Sequence, residues 1–242
     1  MLRIAVYSLS SCQGCITNIL TYMGEFLEKL GTEVDIMYFK LVKEPEEEVI
    51  PYVHLAFVEG SVTLEEQVEF LKLIRRRSGT LVALGTCAST GGVAYYSSRS
   101  IDVKSIPVEP AYTQAKALSE IVYVDYELRG CPVLATEFME FITKFIRGGV
   151  WRPPDYHVCA ECKLAGLDCL LDEGKPCLGP ITMGGCKAIC RKKGLPCYGC
   201  RGPALEVDVK AFLKSLEKRG VNVDDVKKMV KIFMGRRGGE LL

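Results

Sequence analysis

The sequence predicts an α/β protein: a doubly wound parallel sheet, then a small cysteine-rich domain, then closing helices. Three observations predict it. Short apolar, β-branched runs alternate with amphipathic helical stretches over roughly the first 150 residues. That alternation stops near Trp151, where about fifty residues rich in Cys, Gly, Pro and Lys follow. A helical period then returns from Leu205 to the end. The expected boundaries are 1–150, 151–204 and 205–242.

Each element can be justified in order. "LRIAVYS" (2–8) is short and apolar throughout, as a strand buried on both faces requires. "CITNILTYMGEFLEKLG" (15–31) puts Ile16, Ile19, Leu20, Met23, Phe26, Leu27 and Leu30 on one stripe and predicts one helix closing on Gly31. "TEVDIMYF" (32–39) and "HLAFVEG" (54–60) read as the second and third strands, with His54 starting the latter and carrying no visible chemistry. "TLEEQVEFLKLIRRR" (63–77) is a helix, "TLVALG" (80–85) a fourth strand and "EIVYVD" (120–125) a fifth. "LATEFMEFITKFI" (134–146) closes the series as an amphipathic helix. Strands separated by helices imply a parallel sheet covered on both faces, so the first domain is expected to be flavodoxin-like. The stretch 205–242 shows two helical patterns split by "RGVN", and its last basic and glycine residues are expected to fray.

The totals exclude several classes. A net charge of +1 over 242 residues lacks the basic excess of a nucleic-acid protein. No stretch has the uninterrupted apolar length of a membrane span. The N-terminus, "MLRIAVYS", enters a core strand without a charged leader or apolar signal, so the chain is expected to start near Met1 and stay in the cytoplasm. Twelve cysteines in a reducing compartment point to metal binding; disulfides remain the alternative seen in some intracellular proteins of hyperthermophiles.

Ligands of open parallel sheets sit beyond the carboxyl ends of the strands. Cys12 and Cys15, in "SSCQGC", follow the first strand; Cys87, in "LGTCAST", follows the fourth; Cys131, in "RGCPV", comes soon after the fifth. Four thiols on three loops are therefore expected to converge on one sheet edge. Gly14, Gly85 and Gly130 supply tight turns, and Pro132 holds the outgoing chain. A redox dithiol would leave Cys87 and Cys131 unexplained. Four thiolates can also hold structural zinc, although zinc sites are usually built on short knuckles.

The other eight thiols divide, in sequence order, into Cys159, Cys162, Cys169, Cys177 and Cys186, Cys190, Cys197, Cys200. Soft thiolates among Gly and Pro are the surroundings an iron–sulfur cluster needs. Lys163, Lys175, Lys187, Arg191, Lys192 and Lys193 either offset cluster charge or form an ordinary solvated surface. His157, two residues before Cys159, reads as packed or solvated rather than ligating. Thr86 either donates a hydrogen bond toward a cluster sulfur or caps a turn.

"SSCQGC", "VEGSVT", "LGTCAS" and "GCPV", in that order, followed by "CLGPITMGGC" and "LPCYGC", resemble the small, electron-transferring subunit of nickel–iron hydrogenases. The resemblance runs from about Leu2 to Pro203. With cysteine throughout and no export signal, the chain looks most similar to soluble cytoplasmic members, such as the delta subunits of archaeal sulfhydrogenases and the small subunits of F420-non-reducing hydrogenases. The resemblance implies three 4Fe–4S clusters: a proximal one on Cys12, Cys15, Cys87 and Cys131, a medial one on Cys186, Cys190, Cys197 and Cys200, and a distal one on Cys159, Cys162, Cys169 and Cys177. It departs from many exported relatives twice. Cys159 stands where those have a histidine ligand, and Cys190 where many have a proline and a three-iron medial cluster. Glu59 corresponds to the family's glutamate beside the proximal cluster; otherwise it is an acidic residue starting a helix.

With every cysteine so assigned, no nickel site remains, and no G-x-G-x-x-G fingerprint is present. The resemblance therefore implies a non-catalytic subunit. It would pass electrons between a nickel–iron catalytic large subunit and a flavin- and iron–sulfur-containing reductase subunit, within an obligate heteromer. The alternatives are the same relay in an F420-non-reducing hydrogenase feeding heterodisulfide reductase, a respiratory complex I-type relative, and a zinc-stapled interaction module. A complex I-type relative typically has adjacent cysteines in the first loop and no eight-cysteine tail.

Overall fold

The computed structural model describes residues 1–43, 50–100 and 111–242. It divides into two compact units, Met1–Arg152 and Pro153–Leu242. In the first, β1 (Leu2–Ser8), β2 (Val34–Phe39), β3 (Val53–Glu59), β5 (Ser78–Leu84) and β7 (Tyr126–Leu128) form one sheet in the order β2-β1-β3-β5-β7. Every ladder in it is parallel. A short antiparallel pair, β4 (Val62–Leu64) with β6 (Ala111–Lys116), stands apart from it. The strand order is that of flavodoxin-like sheets, so the direction of winding reverses between β1 and β3 and a crevice opens beyond their carboxyl ends.

Burial on both faces explains the unbroken apolar runs. Ile4 and Val6 of β1 face one core with Phe57, Val82 and Leu84, sealed by α1 (Gly14–Thr21), α2 (Met23–Leu30) and α6 (Ala135–Ile146) through Ile16, Phe26 and Phe138. Ala5 and Tyr7 face the other core with Ala56, Val58 and Ala83, sealed by α3 (Glu65–Arg76) through Leu71 and Ile74.

Three expectations need correction. The helix expected over 15–31 breaks at Tyr22, whose N–H bonds the Ile19 carbonyl at 3.0 Å instead of continuing the i−4 ladder. Thr21 Oγ1 bonds back to the Thr17 carbonyl at 3.0 Å, a competition that bends helices. The break resets the helical phase, so Phe26 and Leu30 are buried while Leu27 is exposed, and Gly31 ends α2 in a right-handed conformation.

The strand expected over 120–125 is displaced to Tyr126–Leu128. Asp125 explains why: its N–H bonds the Leu81 carbonyl (3.0 Å), its carboxylate accepts the Leu81 N–H (2.8 Å), and Arg75 pairs with the same oxygen. Ile121, Val122 and Val124 owe their apolar character to packing on the α3 side of the sheet. Finally, α4 (Gly85–Thr90) and α5 (Gly92–Ser100) follow β5, where the sequence places Cys87 on a loop.

In the second unit, α7 (Val158–Leu164) and α8 (Ile189–Lys192) are short and lie among the cysteines. The closing helices are α9 (Val209–Glu217), α10 (Val223–Phe233) and α11 (Gly235–Leu241), the last covering residues expected to fray. Asp208 caps α9 through Ala211 N–H (2.8 Å), and Asn222 caps α10 through Asp224 N–H (3.0 Å). Leu178, Ile181 and Val158 share one core with Phe212, Leu216, Val226, Val230 and Met234. The helices thus supply the apolar surface that the cysteine-rich stretch lacks. Among the described residues no helix is long and apolar enough to cross a membrane.

Candidate metal centres

The carboxyl ends of four strands deliver the first group of residues. β1 leads to Cys12 and, through Gln13 in a left-handed conformation, into α1. β3 ends on Glu59, β5 runs into α4 with Thr86 and Cys87, and β7 is followed by Cys131. Two of the four thiols, Cys15 and Cys87, therefore sit in the first turns of helices rather than in loops. Thr86 N–H donates to the Gly130 carbonyl (2.9 Å), tying the start of α4 to the residue before Cys131. Thr86 also accepts a bond from Thr90 Oγ1 at its carbonyl (3.0 Å).

The four thiols act on one another in two pairs, Cys131 on Cys15 and Cys12 on Cys87. Burial pushes the Cys15 thiol up, with Glu59 and then Cys131 adding to it. Burial likewise pushes Cys87 up to about 11, with Cys12 and Glu59 adding. Cys12 and Cys131 are exposed. Gly85 has φ +83, and a Cβ placed there would run into Cys15 Sγ. A glycine is what leaves room beside that sulfur.

Glu59 is not at a helix start. It ends β3, is buried to 2% exposure, and reaches α1 from outside, accepting the Cys15 N–H at 2.9 Å through Oε1. Its Oε2 is buried without a partner. Burial raises its pKa, against the lowering effect of the Cys15 and Ile16 amides.

In the second unit, Cys159, Cys162, Cys169 and Cys177 line a partly open pocket of about 300 Å³, its open mouth included, with Gly179, Pro180 and Arg191. Burial raises Cys159 to about 12, with Cys177, Cys169 and Cys162 adding in that order. Gly179 keeps this space clear: a Cβ there would stand 3.1 Å from Cys159 Sγ and 3.7 Å from Cys177 Sγ. Cys197, placed by sequence order in the other quartet, also lines the pocket, and its N–H donates to Cys177 Sγ at 3.3 Å. Of the remaining thiols, Cys200 acts on Cys186, Cys190 and Cys197 alike. Burial lifts all three, Cys186 to about 11.

The basic residues divide. Lys163, Lys175, Lys187, Lys192 and Lys193 are exposed, whereas Arg191 is buried, donating to the Asp168 carbonyl (2.8 Å) and the Leu195 carbonyl (3.2 Å). His157 precedes α7 and pairs through its backbone with Met183; His54 Nδ1 accepts the Arg3 N–H at 2.9 Å. Two residues were not singled out from the sequence. Arg201 is fully buried and donates through Nε to the Gly184 carbonyl (2.6 Å). Glu161 accepts the N–H groups of Gly185 and Ala188. The only sequence signal for either is its place beside a cysteine, in "CAEC" and "YGCR".

All twelve cysteines are free thiols. Among the described residues no three His, Cys, Asp or Glu side chains are gathered tightly enough to hold a single metal ion. The donor chemistry fits an iron–sulfur cluster: soft sulfur ligands, little bulk at Gly85 and Gly179, and a pocket between four thiols. Burial keeps the Cys15, Cys87, Cys159, Cys186 and Cys197 thiols protonated at neutral pH, so loading metal must release those protons.

The family model described as NADH ubiquinone oxidoreductase, 20 Kd subunit, matches residues 12–145, taking in Cys12, Cys15, Glu59, Cys87 and Cys131 and ending before the other eight cysteines. Sulfhydrogenase 2 subunit delta of Pyrococcus furiosus is 33% identical over 231 residues, covering 90% of this chain and 93% of that one. A vhu-type F420-non-reducing hydrogenase subunit of Methanocaldococcus jannaschii is 28% identical, covering 83% of this chain and 81% of that one. A chain of an NAD+-reducing NiFe hydrogenase, solved in the H2-reduced state, superposes with a TM-score of 0.53 at 25% identity, covering 63% of this chain and 95% of that one. The relatives are hydrogenase subunits, and the chain belongs to the NADH ubiquinone oxidoreductase 20 Kd subunit family.

Proposed function

We propose that this chain is the electron-transfer subunit of a cytoplasmic nickel–iron hydrogenase complex. It relays single electrons between a hydrogen-activating large subunit and a flavin- and iron–sulfur-containing reductase subunit, and performs no turnover alone. Its sites are three 4Fe–4S rings: Cys12, Cys15, Cys87 and Cys131; Cys159, Cys162, Cys169 and Cys177; and Cys186, Cys190, Cys197 and Cys200. An iron–sulfur cluster, when bound, supplies a one-electron store whose potential depends on ligands, burial and hydrogen bonds to sulfur.

The observation that carries the reading is the pocket lined by Cys159, Cys162, Cys169 and Cys177, cleared of side-chain bulk by Gly179. It is supported by the matching switch-point edge of the first unit and by relatives that are hydrogenase subunits. The chain's own residues have defined tasks. Burial around Cys15, Cys87, Cys159 and Cys197 keeps water from the sulfurs, and Glu59 fixes the first turn of α1 through the Cys15 amide. The likeness to the vhu-type hydrogenase protein favours a second placement of the same relay, in an F420-non-reducing hydrogenase feeding heterodisulfide reductase.

The test is anaerobic purification of the native complex with iron and sulfide analysis. About twelve irons per chain in three separately reducible centres, with a nickel-containing subunit bound, is the expected result. A colourless chain holding zinc, or one metal centre alone, overturns the proposal and favours the interaction module.

A further inference from the structure

Glu161 lies between Cys159 and Cys162 on α7, yet its carboxylate is directed at the segment that carries Cys186. Oε1 accepts the Gly185 N–H at 2.8 Å and meets Tyr156 Oη at 3.4 Å. Oε2 accepts the Ala188 N–H at 3.1 Å and stands 3.6 Å from Cys186 Sγ. Between those two amides the backbone is unusual: Lys187 has φ +56 and Ala188 φ +49, successive non-glycine residues in the left-handed region. Such conformations are strained and persist only where surrounding contacts impose them. The Glu161 carboxylate is such a contact.

We infer that Glu161 is a positioning residue for the Cys186, Cys190, Cys197 and Cys200 ring: it clamps the Gly185–Ala188 turn and, as an anion 3.6 Å from Cys186 Sγ, holds the reduction potential of that centre down. The inference rests on the iron–sulfur reading proposed above. A negative charge beside a ligand sulfur opposes an added electron, since net charge around a cluster sets its potential. The opposing cation is Arg201, but Glu161 acts on Cys186 more strongly than Arg201 does. The clamp is carried by the helix of one ring and acts on the turn of the other, so one short segment, "CAEC", joins the two.

The test uses the native complex with Glu161→Gln and Glu161→Ala. Iron per chain and the midpoint potential of the centre are followed by EPR-monitored redox titration, the centre being assigned by its altered spectrum in Cys186→Ser. Glu161→Gln keeps a hydrogen-bond acceptor and loses the charge. It is expected to retain its iron and to shift the one-electron reduction equilibrium toward the reduced form about tenfold, which is about 59 mV. Glu161→Ala is expected to lose that centre's iron. In the iron-free chain it should also speed hydrogen exchange of the Gly185 and Ala188 amides at least about tenfold, the arm that reports the clamp without any cluster.

A Glu161→Gln complex with the centre present and its potential unmoved, or lowered, overturns the potential-setting role. Unchanged amide exchange in Glu161→Ala overturns the clamp. A wild-type complex with no reducible centre at these cysteines overturns the iron–sulfur reading, and the potential-setting role with it.

Discussion

Gly85→Ala is the sharpest perturbation of the proposed ring of Cys12, Cys15, Cys87 and Cys131. Gly85 has φ +83, and its new methyl would run into Cys15 Sγ. Holding an alanine in the left-handed region costs about 1–2 kcal/mol. Cys15 is 7% exposed and packed in the core with Ile16 and Leu84, so making room for the methyl is an overpacking change of about 1–3 kcal/mol. The two together give a loss of about 2–5 kcal/mol, a large share of the 5–15 kcal/mol typical of a folded domain. Urea unfolding of the iron-free chain measures this, and iron analysis after anaerobic reconstitution should show about four fewer irons per chain. Gly24→Ala is the control. Gly24 lies inside α2 with open space around its Cα, so alanine there should be neutral or stabilise by about 0.5–1 kcal/mol. A Gly85→Ala chain within about 0.5 kcal/mol of wild type, with its iron complete, would refute the packing of Gly85 against Cys15.

Other outcomes follow from single residues. The Tyr7 hydroxyl is buried without a partner, and burial, then Tyr38, raises its pKa to about 12. The folded state therefore keeps this proton where the unfolded chain loses it. Stability present below pH 10 is lost progressively between pH 10 and 12, and Tyr7→Phe should flatten that part of the urea-midpoint profile without loss of stability near pH 7. Asp125→Ala removes the acceptor for Leu81 N–H and the partner of Arg75, and should cost about 2–4 kcal/mol by urea unfolding. Asn222→Ala removes the cap of α10 and should cost about 1 kcal/mol, read as a lowered Tm.

The central strands were legible because parallel-sheet burial writes itself as unbroken apolar runs: Ile4 through Val6 and Leu55 through Val58 are fully buried. The fifth strand was misplaced because Ile121, Val122 and Val124 are as apolar as a strand but pack as an irregular segment. A side chain, Asp125, makes the bonds a strand residue would. The break at Tyr22 left no glycine or proline signal at that position. It depends on Thr21 and on a change of packing that periodicity averages away.

The candidate site was legible through its cysteines, which are soft sulfur donors, four of them placed after strand ends. What held those cysteines in place was not. Glu161 reaches Gly185 across twenty-four positions, and buried Arg191 looks in sequence like its exposed neighbours Lys192 and Lys193. Long-range hydrogen bonds to backbone amides have no local pattern, so only the folded chain reveals them.

The Cys197 amide that donates to Cys177 Sγ ties a cysteine of one proposed ring to a sulfur of the other, at the wall of the pocket that both residues line. A designer who tried to transplant either four-cysteine ring into another scaffold would sever that bond and leave a sulfur without its donor. The portable unit is the whole run from Cys159 to Cys200 with α9 and α10 beneath it. Shortening the tail to a single ring should yield an insoluble fragment rather than a simpler wire.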